Sequence, residues 1–180
     1  MDLNLLQKSG NWDRFGSLFK QEIVKAKTVL LEEGEVCKKA YFVEKGCLRF
    51  WFKNDGKDIS FQFFFEGDFI LCIESFKTGQ PSLYALESIE PSTLRTVSKE
   101  DFEFIIENSA EIKIGIEELT IQWFLFYQKL FISRIKDNPE KRYQEILHQQ
   151  PKIAKRVPLN HIASYLGITA VSLSRIRNRR

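Results

Sequence analysis

A chain of 180 residues with 43% apolar content and a formal charge of +3 has material for one core of ordinary size and a small satellite domain, which excludes a disordered polypeptide. No apolar run approaches the roughly eighteen residues of a membrane span, and the opening MDLNLLQKSG lacks a basic segment followed by an apolar one, so neither a span nor a secretory signal is read and a cytoplasmic protein is expected. Cys37, Cys47 and Cys72 are odd in number and widely spaced, which fits reduced buried thiols better than a disulfide framework or a metal site.

Leu3 and Leu6, then Trp12, Phe15, Leu18 and Phe19, have helical spacing broken at Ser9 and Gly10, which predicts short leading helices. From Ile23 the period changes. Short β-type runs at 23–31, 40–44, 47–52 and 58–65 alternate with turn residues, and such strands at near-regular spacing predict an all-β barrel or jelly roll. Asn54, Asp55 and Gly56 mark a hairpin tip. Phe61, Phe63 and Phe65 alternate with Gln62 and Phe64, as in a strand buried on one face and partly covered on the other. After a less regular stretch, 81–97 reads as two further strands turning at Glu90 and Pro91.

Ser98 caps a predicted helix whose buried stripe is Phe102, Ile105 and Ile106. A longer helix is predicted from about Glu111 to Lys136. Its Ile112, Ile116, Leu119, Trp123, Phe126 and Leu130 alternate four and three apart, the seam of a two-stranded coiled coil and hence of a homodimer. Ile121, Phe124, Leu125, Tyr127, Phe131 and Ile132 lie outside that seam, so a second side of the helix is expected to close over the barrel; the alternative is a core helix of a monomer. Asp137, Asn138 and Pro139 end this helix and cap the next, 140–149, which leads through Pro151 and a basic linker, 152–156, to the last segment.

That segment, PLNHIASYLGITAVSLSRIRNRR from Pro158 to Arg180, has the pattern of a helix-turn-helix. Proline at the first helical position leads Leu159, Ile162, Ala163 and Leu166 on one face, and Gly167 ends the helix. Thr169 caps the second helix, which Leu173 and Ile176 lock against the first. Ala170, Ser172, Ser174, Arg175 and Arg177 form the free face, small or basic groups suited to a major groove. Thr169, Ser172 and Asn160 are the candidate phosphate contacts, Arg175 the candidate guanine reader, and Arg177, Arg179 and Arg180 candidate sources of charge. From Arg134 onward eleven basic residues face three acidic ones, a net +8, which leaves −5 for residues 1–133. An acidic body with a basic tail is the footprint of a double-stranded-DNA-binding module joined to something else. The bland alternative is two surface helices with a basic end.

The order of these parts resembles the Crp/Fnr family of bacterial transcription regulators. The local matches are Gly34-Glu35 followed by Tyr41 to Gly46, then Gly67-Asp68-Phe69-Ile70, and Leu166-Gly167 through Ser174-Arg175. The resemblance implies an α+β chain: a cyclic-nucleotide-binding-like jelly-roll sensor at 1–110, a dimerisation helix at 111–136 and an all-α helix-turn-helix domain at 137–180. It also implies a homodimer on near-palindromic DNA, with RNA polymerase as a candidate further partner and no membrane partner. Two positions that contact bases in well-known members are Ala170 and Val171 here.

The departures from the family concern the effector. The family's pocket supplies Gly67, Asp68, Phe69, Cys72, Ser82 and Leu83 by position, with Tyr127 of the long helix beside them. Cyclic-AMP binders hold ribose with a Glu and the phosphate with an Arg, whereas the matching positions are Leu71-Cys72 and Ser82-Leu83. A buried phosphate without a cation costs several kcal/mol, so cyclic AMP is not expected; a less polar effector, or none, is. Three dispersed cysteines do not make an iron–sulfur site, and His148 and His161 both lie outside the sensor segment, which disfavours haem. The chain stops soon after the recognition helix, so wing contacts to phosphate are not expected. A cupin-type enzyme would need histidines inside the barrel, and residues 1–133 contain none; no enzymatic activity and no metal or cofactor is predicted. A sensor-fold interaction protein without DNA binding is the remaining alternative.

Overall fold

The computed structural model describes residues 11–178, so the helix expected at Leu3 and Leu6, and Arg179 and Arg180, lie outside the described residues. Helix α1 (Asn11–Phe15) and a 3-10 turn (Gly16–Leu18) precede eight strands: β1 (Lys20–Val24), β2 (Val29–Leu31), β3 (Lys39–Lys45), β4 (Leu48–Asn54), β5 (Lys57–Phe64), β6 (Phe69–Ile70), β7 (Ala85–Ser88) and β8 (Ser92–Ser98). They form two four-stranded sheets, ordered β1-β8-β3-β6 and β2-β7-β4-β5, with every pairing among the described residues antiparallel. Facing sheets of this kind are the jelly roll the sequence predicts.

Three local features differ from the sequence reading or sharpen it. The run 23–31 is two strands, because Lys27 adopts a left-handed φ of 61° and the Ser88 hydroxyl ties down the turn by donating to the Lys25 carbonyl at 2.6 Å. The irregular stretch after β6 holds a helix, α2 (Ile73–Thr78), ended by Gly79 at φ 71°. The hairpin tip is as read: Asn54 pairs with Lys57 across Asp55 and Gly56, both with positive φ, the conformation that suits a two-residue hairpin turn.

The aromatic run of β5 divides between two cores. Pairing with β4 slips between Phe50 and Trp51, leaving Phe61 as the extra residue, and a bulge of this kind re-aims side chains. Phe61 and Phe64 turn inward, with ring centroids 5.6 and 4.8 Å from Phe50. Phe63 and Phe65 turn outward into a second core with Tyr143, Ile146, Ile153, Ile162 and Tyr165. The cover expected on the second face of β5 comes from the C-terminal domain.

Helix α3 (Lys99–Asn108) starts at Ser98, whose hydroxyl accepts the Asp101 N–H at 3.1 Å, and Ser109 caps α4 (Ala110–Lys136) in the same way. Asn138 caps α5 (Pro139–Gln149). The expected basic linker is a helix, α6 (Pro151–Arg156), because Pro151 stands at its start, where a missing N–H costs nothing. Helices α7 (Leu159–Leu166) and α8 (Ala170–Asn178) follow. No helix among the described residues is long and apolar enough to cross a membrane.

The seam assigned to α4 is corrected by its packing. Ile112 and Leu119 are buried in the first core, Ile116 and Trp123 pack against it, and Leu130 packs against the second. Trp123 lies parallel to Phe69, their centroids 6.0 Å apart, and Phe126 lines a groove beside the C-terminal domain. These residues face the roll and the C-terminal helices of the same chain. The opposite face leaves Ile114, Ile121, Phe124, Leu125, Phe131, Ile132 and Ile135 between 47% and 74% exposed.

Gly46 passes close against the backbone of Ser92. Its φ is 119°, its N–H donates to Glu66 at 3.0 Å, and a Cβ there would stand 2.8 Å from the Ser92 Cα. Gly46→Ala is expected to lower stability by about 1–3 kcal/mol through overpacking and strain; an unchanged urea midpoint would contradict this account of the β3–β4 turn.

Candidate nucleic-acid interface and its junction with the roll

The α7–α8 pair is built by capping. Pro158 stands at the N-cap of α7, one residue earlier than the sequence reading placed it, and its carbonyl accepts the His161 and Ile162 N–H groups. Ile162, Ala163 and Leu166 are buried as expected, whereas Leu159 is 40% exposed, because it sits on the turn facing away from the second core. Gly167 adopts φ 71° and donates to the last turn of α7. The Thr169 hydroxyl accepts the Ser172 N–H at 3.1 Å, and Leu173 is fully buried. Asn160, Thr169, Ala170, Val171, Ser174, Arg175 and Arg177 are all exposed, and half-buried Ser172 keeps its hydroxyl 3.0 Å from that of Thr169. Arg179 lies outside the described residues.

Much of the basic tail is committed internally. Arg156 forks onto Glu66 at 2.8 and 2.7 Å and also reaches Glu90, while Lys152 lies 3.3 Å from Glu66. The Arg156 guanidinium holds the Glu66 carboxyl well below the usual carboxylate range. Arg142 donates to the carbonyls of Leu166, Asp137 and Arg134, and Arg134 donates to that of Tyr165 at 2.8 Å. Arg175 and Arg177 have no ion pair among the described residues, so they are the charges of α8 available to a phosphate or a base.

The junction itself centres on Arg49, which sequence reasoning missed. It stands in the outward register of β4, between Leu48 and Phe50, and its side chain is 3% exposed. Its guanidinium meets Glu87 at 2.6 Å, Asp58 at 3.4 Å, the Ser60 hydroxyl at 3.0 Å and His161 Nδ1 at 3.0 Å, and lies over the Trp51 ring. With Arg49 donating, Nδ1 is the imidazole's acceptor. Alongside, the Ser60 N–H donates to the Ser164 hydroxyl at 3.1 Å and Phe63 packs on Tyr165. Burial, and then the neighbouring Arg49 charge, lower the His161 pKa to about 4. The available signal was a lone arginine inside an apolar strand, a residue type that is buried only when paired.

Of the residues assigned to an effector pocket, Gly67, Asp68 and Phe69 line a cavity beside α4, whereas Cys72, Ser82, Leu83 and Tyr127 do not. Asp68 fastens the β5–β6 turn, its carboxylate accepting the Phe65 N–H at 2.7 Å, and Gly67 takes the positive φ of that turn. Phe69 is a core ring between Phe102 and Trp123. Cys72 is buried at the start of α2, where the neighbouring Cys37 thiol and burial push its own thiol up. Ser82 is buried, its hydroxyl donating to the Tyr84 carbonyl at 2.7 Å, whereas Leu83 points out, 69% exposed. Tyr127 bonds Gln62 from α4. Inside the roll, Phe50, Phe61, Phe64 and Tyr84 fill the space with ring contacts of 4.6 to 5.6 Å. Arg95 pairs with Glu44 at 2.5 Å on the opposite sheet.

A jelly roll followed by a long helix and a capped helix-turn-helix defines a two-part architecture. Residues 21–109 match the cyclic nucleotide-binding domain family, and over most of its length the chain has the fold of Crp/Fnr-type regulators. The c-di-GMP responsive global regulator CLP of Xanthomonas campestris superposes with a TM-score of 0.78 at 16% identity, over 95% of this chain and 90% of that one. A CooA mutant from Carboxydothermus hydrogenoformans gives 0.78 at 15% identity, over 99% and 84%. A putative transcriptional regulator of the Crp/Fnr family from Eubacterium rectale gives 0.73 at 17%, over 98% and 87%. No curated protein sequence matches the chain.

The Arg49–His161 contact sets a pH dependence with a definite sign. Because the folded pKa of His161 lies below the usual imidazole value, the unfolded chain binds the extra proton first as pH falls. Stability is therefore expected to be level above about pH 6.5 and to decline toward pH 4. Urea unfolding across that range should show a shallower decline for His161→Gln than for the parent chain; parallel slopes would exclude the imidazole as the titrating group.

Proposed function

We propose that this protein is a DNA-binding transcription regulator of the Crp/Fnr type. One observation carries the reading: a capped α7–α8 pair whose free face is small, polar or basic, with Arg175 and Arg177 unpaired by carboxylates among the described residues. Such a helix suits a major groove, its N-terminal hydroxyls reaching phosphates and Arg175 a guanine edge. The regulatory names of the structural neighbours favour the same reading. Cyclic AMP is not the effector: among the family-positioned residues Ser82 and Leu83 offer the phosphate no cation, and aromatic rings occupy the roll's interior.

The protein works as a homodimer through the exposed face of α4. Large apolar side chains left exposed along one helix mark an interaction surface, and Ile114, Ile121, Leu125, Ile132 and Ile135 recur at three-, four- and seven-residue steps, the spacing of a helical seam. A protein-interaction role without DNA binding draws support from the internal pairing of Arg134, Arg142, Lys152 and Arg156. A gel shift on mixed genomic DNA separates the two.

Two experiments test the parts of this reading. Leu125→Glu should give monomers by light scattering while Phe126→Glu, on the inward face, should not dissociate the subunits; the reverse pattern would restore the seam first read from the sequence. Arg175→Ala should cost about 1–3 kcal/mol on a selected two-fold site and little on random DNA, whereas Arg177→Ala should weaken both alike. A random oligonucleotide pool that yields no two-fold site would sink the assignment of α8 as the reading helix.

A further inference from the structure

Between α4 and the C-terminal domain run two adjoining cavities of about 780 and 350 Å³. Phe126, Gln149, Gln150 and Tyr165 border both, so they form one groove. Volumes of this order are those of small-molecule sites. The larger end has an aromatic floor that includes Phe69, Trp123 and Phe126. The smaller end is cationic: Lys129, Arg134 and Arg142 stand against one acid, Glu145. Lys129 and Arg134 have no carboxylate partner among the described residues, and Arg134 gives one nitrogen to the Tyr165 carbonyl. Trp123, Phe126, Leu130 and Arg134 lie away from the exposed apolar stripe, whereas Lys129, four residues after Leu125 and three before Ile132, stands at its edge, so pairing of two α4 helices through that stripe leaves the aromatic end and Arg134 open.

An aromatic floor ending in unneutralised cations matches an organic anion with an apolar body. We propose that this groove binds an amphipathic carboxylate, its chain or ring laid on Trp123 and Phe126 and its acid group held by Lys129 and Arg134. The site is separate from the interior of the roll. It also touches the reading head, because Arg134 and Arg142 hold the carbonyls of Tyr165 and Leu166 just before Gly167. A carboxylate that draws Arg134 away from the Tyr165 carbonyl changes the support of the α7–α8 turn. This control step rests on the regulator reading; the binding step does not.

Isothermal titration of the full chain with decanoate, and separately with decanol, reads binding without DNA. Decanoate is expected to saturate at one site per subunit and decanol to bind about tenfold more weakly. Lys129→Gln, an exposed position, should weaken decanoate about threefold and leave decanol unchanged; Trp123→Ala should weaken both ligands. Equal affinity for acid and alcohol, indifference to Lys129→Gln, or no saturation would overturn the site. Gel shifts with and without decanoate then test control: an altered DNA affinity supports it, and an unaltered one overturns it while the site stands. A chain that binds decanoate but no DNA would instead sink the regulator reading alone.

Discussion

The position of the C-terminal domain depends on one buried cation. A guanidinium with 3% of its surface exposed loses most of its hydration, and removing a single partner from such a group typically costs about 3–5 kcal/mol. Arg49 is satisfied from two directions: Glu87, Asp58 and Ser60 come from the roll, and His161 Nδ1 comes from α7. The outer face of β4 and β5 is thus completed only when the helix-turn-helix domain is docked on it. Neutral His161 is the form that fits, since a second cation 3.0 Å away would oppose Arg49.

Around that contact the interface is layered. Phe63, Phe65 and Cys47 supply apolar area to Tyr165, Ile153 and Ile162, and Arg156 clamps Glu66 and Glu90 at the far edge. Glu66 also receives the Gly46 N–H, so the β3–β4 turn, the β5–β6 turn and α6 share one carboxylate. The directional contacts specify the docking geometry, while the apolar contacts supply area without direction.

What was legible in the sequence was local. Ser98, Asn138 and Thr169 cap the helices they were expected to cap, and Asn54-Asp55-Gly56 turn the hairpin, because each signal acts within a few residues. The partner of a face was not legible. Four-and-three spacing identified an apolar stripe on α4, but a helix apolar nearly all round presents two such stripes, and period alone does not assign one to the roll and the other to a second subunit. The stacking of Phe69 on Trp123 places the Ile112–Leu119–Trp123 stripe against the roll. Likewise the net +8 of the tail counted Arg134, Arg142, Lys152 and Arg156, whose commitments to carbonyls and to Glu66 arise only after folding.

The effector question shows the same limit from the other side. Loss of the family's polar anchors was visible at Cys72, Ser82 and Leu83, and the packed rings of Phe50, Phe61 and Tyr84 supply its physical counterpart. The groove, by contrast, is assembled from residues 62–69, 119–134 and 142–166, so no contiguous motif encodes it. Helix α4 joins these regions: its first half packs on the roll, its outward face is apolar and exposed, and Arg134 near its end bonds the carbonyl of Tyr165 in α7. A rotation of α4 that repacks Trp123 against Phe69 therefore also moves Arg134 relative to the turn that carries α8. Helix α4 is thus a rigid element shared by the roll and the C-terminal helices, in contact with both.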